Sequence, residues 1–250
     1  MKTSGSASAG LAGITTAGFA GIAMLAAILS AAGADAATIV GHVRLTGPIP
    51  KPPTITMTAD PVCDRLSPHG RPAEMIVAGP DGALANVFVY VRSGLPKKFV
   101  IPPSTAGEAK LDQVGCAFVP HAIALRVGQE LTIHSSDPTM HNVAGRSIEN
   151  APFNDATPGE GAVLRRTFDR PELPVKLKCD IHPWMSAYVG VFDHPYFAVT
   201  GRDGSFTIDG LPESEYTVEA WHETLGSHAV KVEIDDEKKI ATVDFSFAGN

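Results

Sequence analysis

Only three cysteines occur in 250 residues, no Cys-x-x-Cys-His run is present, and no stretch beyond residue 36 sustains an apolar repeat of 3.6 residues. Each absence removes a class. Covalent haem attachment needs the missing Cys-x-x-Cys-His run, and a structural zinc site wants two or more cysteines in one cluster. A helical bundle needs the missing periodicity. There is no basic surplus either: 20 Lys and Arg stand against 27 Asp and Glu, for a net charge of −7. With a pI near 5.7, a nucleic-acid partner is excluded. The imbalance is local. Residues 197–250 hold four basic and eleven acidic side chains, a net of −7, so the remainder is neutral.

No charged residue lies between Lys2 and Asp35, and the apolar run Gly21 to Leu29 is followed by the small-residue site Ala34-Asp35-Ala36. This pattern predicts a secretory signal over residues 1–36 and a periplasmic or secreted protein. A membrane association is expected only if the segment stays uncleaved. What is plentiful is glycine and proline, 24 and 20 residues, about 18% together against roughly 12% on average. Strand-forming runs surround these turn-formers: Ala37 to Leu45 alternates with period 2, Asn86 to Arg92 is rich in β-branched and aromatic residues, and Ala162 to Phe168, Pro174 to Cys179 and Ala187 to Phe192 are further strand candidates. Ile123 to Val127 and Leu131 to His134, either side of Gly128, read as a hairpin. The expectation is an all-β chain with at least two sandwich modules.

The most specific feature is Cys179-Asp180-Ile181-His182-Pro183-Trp184-Met185, with His141 upstream in DPTMHNV. Two imidazoles and a thiolate make a trigonal donor set, and a thioether supplies a long axial contact. That is the donor choice of a mononuclear blue-copper site, where sulfur suits Cu(I) and imidazole suits both oxidation states. One copper per chain is expected, held by His141, Cys179, His182 and Met185, and the function that profits is transfer of single electrons. A binuclear copper centre would need a second cysteine in the loop, which is absent.

The stretches IALRVGQELTIHSSDPTMHNV and KLKCDIHPWMSAYVGVF resemble the cupredoxins, the short ligand loop being of the amicyanin type. The resemblance implies a Greek-key β-sandwich over residues 109–195 with the same four ligands. It also implies that Asn142 locks the ligand loops by hydrogen bonding, and that the loop histidine His182 reaches the surface and passes electrons, a partner docking nearby. For Trp184 a docking patch and core packing are equal readings. Residues 196–250, with the turn GRDG, the alternation SFTIDG, Gly210-Leu211-Pro212 and the YTV strand, resemble the carboxypeptidase regulatory-like or transthyretin-like β-sandwich. Residues 37–108 form an N-terminal β segment whose runs TIVGHVRLTG and LANVFVYVRSG resemble the early strands of that second sandwich. Either they complete it, with the copper module inserted, or three segments follow in series.

With Cys179 assigned to copper, Cys63 and Cys116 form an even pair, and in an oxidising compartment such a pair predicts a disulfide. A second metal site from Cys116 and His121, and free thiols, are the alternatives. His121 otherwise reads as a hydrogen-bonded turn histidine, and Trp221-His222-Glu223 as a strand-end triplet in a surface loop. The expected protein is an exported electron carrier, not an enzyme, serving a redox partner such as a cytochrome or a dehydrogenase. A copper carrier or store, and a surface scaffold with a structural cupredoxin fold, are the other functions these residues allow.

Overall fold

The computed structural model describes residues 36–97, 100, 107–235, 237 and 239–249. The export-signal reading of residues 1–36 lies, except for Ala36, outside the described residues. Among the described residues no helix is long and apolar enough to cross a membrane.

The chain opens with β1 (Ala37–Thr46), β2 (Thr54–Ile55), the short helix α1 (Pro61–Leu66), β3 (Arg71–Pro72) and β4 (Phe88–Ser93). It continues through β5 (Ala109–Gln113), β6 (Phe118–Val119), β7 (Ala122–Arg126), β8 (Leu131–Ser135) and β9 (His141–Arg146). Next come β10 (Phe153–Thr157), β11 (Val163–Arg166), β12 (Glu172–Lys178), β13 (Ser186–Phe192) and β14 (Phe197–Val199). The last strands are β15 (Ser205–Leu211), β16 (Ser214–His222), β17 (Gly226–Ile234), β18 (Ile240–Thr242) and β19 (Phe245–Ala248). The all-β expectation holds, with the strands arranged in several sheets.

Two sandwiches share the work. In the first, the sheet β15-β1-β18, with β19 also on β1, faces the sheet β14-β4-β16-β17. Strand β1 alternates, burying Ala37, Ile39, Val43 and Leu45, so one of its faces meets Val89, Val91, Val218, Phe245 and Phe247 in a common core. In the second, the sheet β10-β9-β12-β13-β7 faces β11-β8-β5-β6, and Leu111, Leu125, Ile133, Val143, Val175, Leu177 and Val189 fill the space between. The chain enters the second sandwich after β4 and leaves it before β14, and these two strands pair antiparallel, Tyr90 opposite Phe197. The second sandwich therefore occupies the place of a hairpin loop in the first. The connection between β1 and β4 crosses over, sending Met57 and Cys63 into the core of the second sandwich.

Where the sandwiches touch, strand β13 is buried along almost its whole length. One face meets the opposite sheet, the other meets Phe88 of β4, and both Tyr188 and Phe192 join that contact. Burial on two faces is why AYVGVF is a continuous apolar run. Gly190 sits under Phe88, whose ring would stand 2.8 Å from any Cβ placed there.

Two local expectations are corrected. Strands β7 and β8 are not a hairpin: β7 pairs in parallel with β13, while β8 pairs with β5 and β11 in the other sheet. Gly128, with φ +77°, turns the chain from one sheet to the other. The Trp221-His222-Glu223 triplet is not a surface loop either. His222 is 1% exposed, and Glu223 receives the imidazole of His121 across the junction.

Buried His222 carries a pH dependence. Burial is the largest influence and pushes its pKa down to about 4, while its Nδ1 accepts from the backbone N–H groups of Thr224 (3.2 Å) and Leu225 (3.3 Å). An unfolded chain takes up this proton near pH 6.5 and the folded chain only near 4. Stability is therefore complete above about pH 6.5 and falls as pH drops toward 4, by about 2 kcal/mol at pH 5 from this group. Urea titrations at pH 7.5 and 5.0 should show that loss. A His222→Asn variant, whose amide oxygen accepts the same N–H groups without titrating, should show it reduced; an unaltered pH dependence would assign the loss to other groups.

Candidate metal centre

Three neighbouring strands deliver the donor atoms. His141 opens β9, Cys179 follows β12 directly, and Met185 precedes β13. Strand β12 pairs with both β9 and β13, so the seven-residue loop Cys179–Met185 closes over the end of the sheet beside His141. The loop is tied within itself: Cys179 N–H donates to Met185 O (3.2 Å) and Met185 N–H to His182 O (2.9 Å).

The imidazoles of His141 and His182 point their Nδ1 atoms at each other across 2.8 Å. Cys179 Sγ lies 3.8 Å from His182 Nδ1. The donor atoms of His141, Cys179 and His182 all lie within 4.8 Å of one another, and all three residues are buried. Met185 is 2% exposed and belongs to the same apolar cluster as Cys179. Two other groups of metal-capable side chains are found among the described residues, Asp60-Cys63-His182 and Cys116-Asp137-His141. Both reuse these histidines and each includes a half-cystine, because Cys63 and Cys116 are joined in a disulfide. That bond leaves no thiol for a metal site built on Cys116 and His121.

Asn142 ties the first histidine's strand to the loop. Its Oδ1 accepts from Asp180 N–H (2.7 Å), and its Nδ2 donates to Asn154 Oδ1 (2.6 Å) and Asp180 Oδ2 (3.2 Å). Burial raises the pKa of Cys179, but hydrogen bonds from His141 and from the backbone N–H groups of Asn142, His182 and Ile181 outweigh it and hold the thiol below its ordinary range. Burial likewise opposes protonation of His141, yet its contacts with Asp137 and Cys179 dominate and raise its pKa to about 9. Any metal bound there competes with a proton for His141 and Cys179.

One expectation about this site is overturned. His182 does not reach the surface: it is 1% exposed. Its outer nitrogen Nε2 meets Asp60 Oδ2 at 3.1 Å and Cys63 Sγ at 3.7 Å, because α1 and its capping residue lie across it. Trp184 is half-buried, packs against the core of the second sandwich and donates from Nε1 to Cys116 O at 3.1 Å. A cavity of about 330 Å³ lies beside the loop, lined by Met75, Phe118, His121, Pro183, Trp184 and Met185 among others.

Sequence reasoning missed Asp60 and Asp137. Asp60-Pro61 is a helix-start signature, and Asp60 Oδ1 caps α1 by accepting from Val62 N–H (2.7 Å) and Cys63 N–H (3.0 Å). Asp137 stands four residues before His141 in the DPTMH motif and meets its Nε2 at 3.0 Å.

No protein-family model matches the chain, and no curated protein matches it. Solved structures resembling part of it include a copper-containing nitrite reductase from Thermus scotoductus SA-01, at 23% identity over 37% of this chain and 25% of that one, TM-score 0.31. A purple cupredoxin from Nitrosopumilus maritimus is 21% identical over 33% of this chain and 98% of that one, TM-score 0.29. An oxidised variant of amicyanin is 17% identical over 41% and 97%, TM-score 0.31. The chain spans a quarter of the length of the nitrite reductase.

Proposed function

We propose that this chain is an exported mononuclear blue-copper protein that carries single electrons between redox partners. The observation that carries the reading is the convergence of two buried imidazole Nδ1 atoms and the Cys179 Sγ at the end of one sheet. Two imidazoles, a thiolate and a buried thioether suit copper in both oxidation states. Bound there, copper would supply one-electron chemistry between Cu(I) and Cu(II). The chain's own part is to hold His141, Cys179, His182 and Met185 on paired strands and in a loop closed by its own hydrogen bonds, so that the donors shift little between states.

The Cys63–Cys116 disulfide supports a periplasmic or secreted location. A redox protein such as a cytochrome or a dehydrogenase is the proposed partner. Because His182 is covered, the proposed contact moves to its exposed loop neighbours Ile181 (47% exposed) and Pro183. The turn and strand motifs of residues 196–250 favour a carboxypeptidase regulatory-like sandwich acting as scaffold, and the reading is of a carrier, not an enzyme.

Copper added to the full protein is expected to give an intense blue or green thiolate-to-copper band at one equivalent. A colourless Cu(II) complex would overturn the reading. The burial of His182 gives weight to a second reading, a copper carrier or store, which shares the same donors. Rapid copper loss to chelators together with sluggish electron exchange would favour it over the first.

A further inference from the structure

The Nε2 atoms of both candidate ligand histidines face carboxylates, and both carboxylates also hold the disulfide. Asp60 spends Oδ1 on the N–H groups of Val62 and Cys63, at 2.7 and 3.0 Å, and Oδ2 on His182 Nε2 at 3.1 Å. Asp137 accepts from Gly115 N–H at 2.7 Å through Oδ1. Through Oδ2 it meets both Cys116 N–H at 2.8 Å and His141 Nε2 at 3.0 Å. Each half of the cystine thus has its backbone N–H on one aspartate, and that aspartate has one imidazole on its remaining contact. Two sites far apart in sequence repeat one arrangement.

We propose that Asp60 and Asp137 are a matched pair of positioning residues that grip His182 and His141 by Nε2, and that the Cys63–Cys116 disulfide is the bar joining the two grips. The proposal rests on the reading that these histidines bind copper through Nδ1.

The chemistry follows from the atoms involved. An ionised carboxylate only accepts hydrogen bonds, so each facing Nε2 carries a proton and Nδ1 is left for the metal. A carboxylate behind a ligand imidazole fixes the ring and raises its basicity. Two such anions favour the more positive oxidation state of the metal. Helix capping alone does not account for Asp60, since a serine fills that role and Oδ2 takes no part in it. At the other end, Gly115 and Cys116 have φ of +63° and +53°, the two left-handed positions of a tight hairpin turn, and the N–H groups of both reach the Asp137 carboxylate. Cys116 adopts a left-handed backbone conformation that is unfavourable for a non-glycine residue, held here by the disulfide on one side and Asp137 on the other. Both half-cystines are 0% exposed, which makes the bond a fixed strut and not an exchangeable one. Cys63 Sγ lies 3.7 Å from His182 Nε2, so the disulfide itself packs against the ring.

The test uses the full-length protein loaded with copper, comparing it with Asp60→Ser, which keeps a capping oxygen for α1, and with Asp137→Asn. The expected result is a shift of about tenfold per variant toward Cu(I) over Cu(II), read as a potential raised by about 59 mV for one electron. In the Cu(I) protein, the NMR signal of the Nε2 proton should lose protection from solvent exchange at His182 alone in Asp60→Ser and at His141 alone in Asp137→Asn. A Cys63→Ala/Cys116→Ala variant should loosen both protons together. If a folded Asp60→Ser protein keeps the parent potential and a protected His182 proton, the inference is overturned while the copper reading stands. If the parent chain forms no thiolate–copper complex, the copper reading fails and takes the inference with it.

Discussion

Cys179→Ser protein given copper is expected to lack the intense visible band entirely and to hold Cu(I) more than about a hundredfold less tightly than the parent chain. The magnitude exceeds the ten- to hundredfold typical of changes one layer out from the metal, because the substitution removes the only thiolate of the donor set. Cys179 is the sole free cysteine among the described residues, so no other thiol replaces it. Its environment is built for the anion: the His182 backbone N–H points at Sγ from 3.3 Å, and these contacts with His141 outweigh burial in lowering its pKa. A serine hydroxyl stays protonated there, is a hard donor, and leaves the two imidazoles to bind Cu(II) alone. The fold should survive, since the hydroxyl fits the space and accepts from the same N–H. Absorption spectra, chelator competition for Cu(I) and a melt of the metal-free variant give the three readouts. A persisting band would place the thiolate elsewhere and remove Cys179 from the centre.

Loss of the disulfide is the second large effect. It joins residues 53 apart, and a closed loop of that size is worth about 4 kcal/mol through the unfolded chain. Against the roughly 5–15 kcal/mol of a whole domain, Cys63→Ala/Cys116→Ala should shift the denaturant midpoint strongly downward. The native state loses as well, because the bond anchors the connection carrying α1 to the sandwich behind it, and Met57 and Cys63 both lie in that core. Guanidinium titrations of the metal-free proteins measure the difference. A change below about 1 kcal/mol would mean that the connection stays docked without its bond, through Asp60 and Met57 alone.

What could be seen in the sequence was what is local. Cys179, His182 and Met185 sit in one seven-residue loop, and His141 opens a strand next to it, so residue type and spacing were enough to propose the donors. Period-2 alternation exposed β1 and the C-terminal strands, and β-branched and aromatic content exposed β4. Asp60 escaped because it meets a histidine 122 residues away, and nothing in Asp60-Pro61 beyond a helix start points to His182. The burial of His182 followed from the same blind spot: an exposed loop tip is covered by a helix from another part of the chain. The supposed hairpin around Gly128 failed for a related reason. Its first strand finds its partner in β13, more than sixty residues onward, and a local turn is the same in sequence whether it joins two strands of one sheet or bridges two sheets. His222 was misread because its strand end is covered by neighbours that the local sequence does not specify.

The path of α1 limits how this protein can be taken apart or recombined. A cassette cut at residues 109 and 195 would carry every proposed donor atom but abandon Asp60 and Cys63, which reach the centre from the β1–β4 connection. Transplanted to another host, it would present His182 to water and Cys116 as an unpaired thiol beside the centre. The second sandwich and the one that hosts it are separable on a strand diagram yet interlocked in substance, so grafting the proposed centre elsewhere requires moving residues from both sides of the graft.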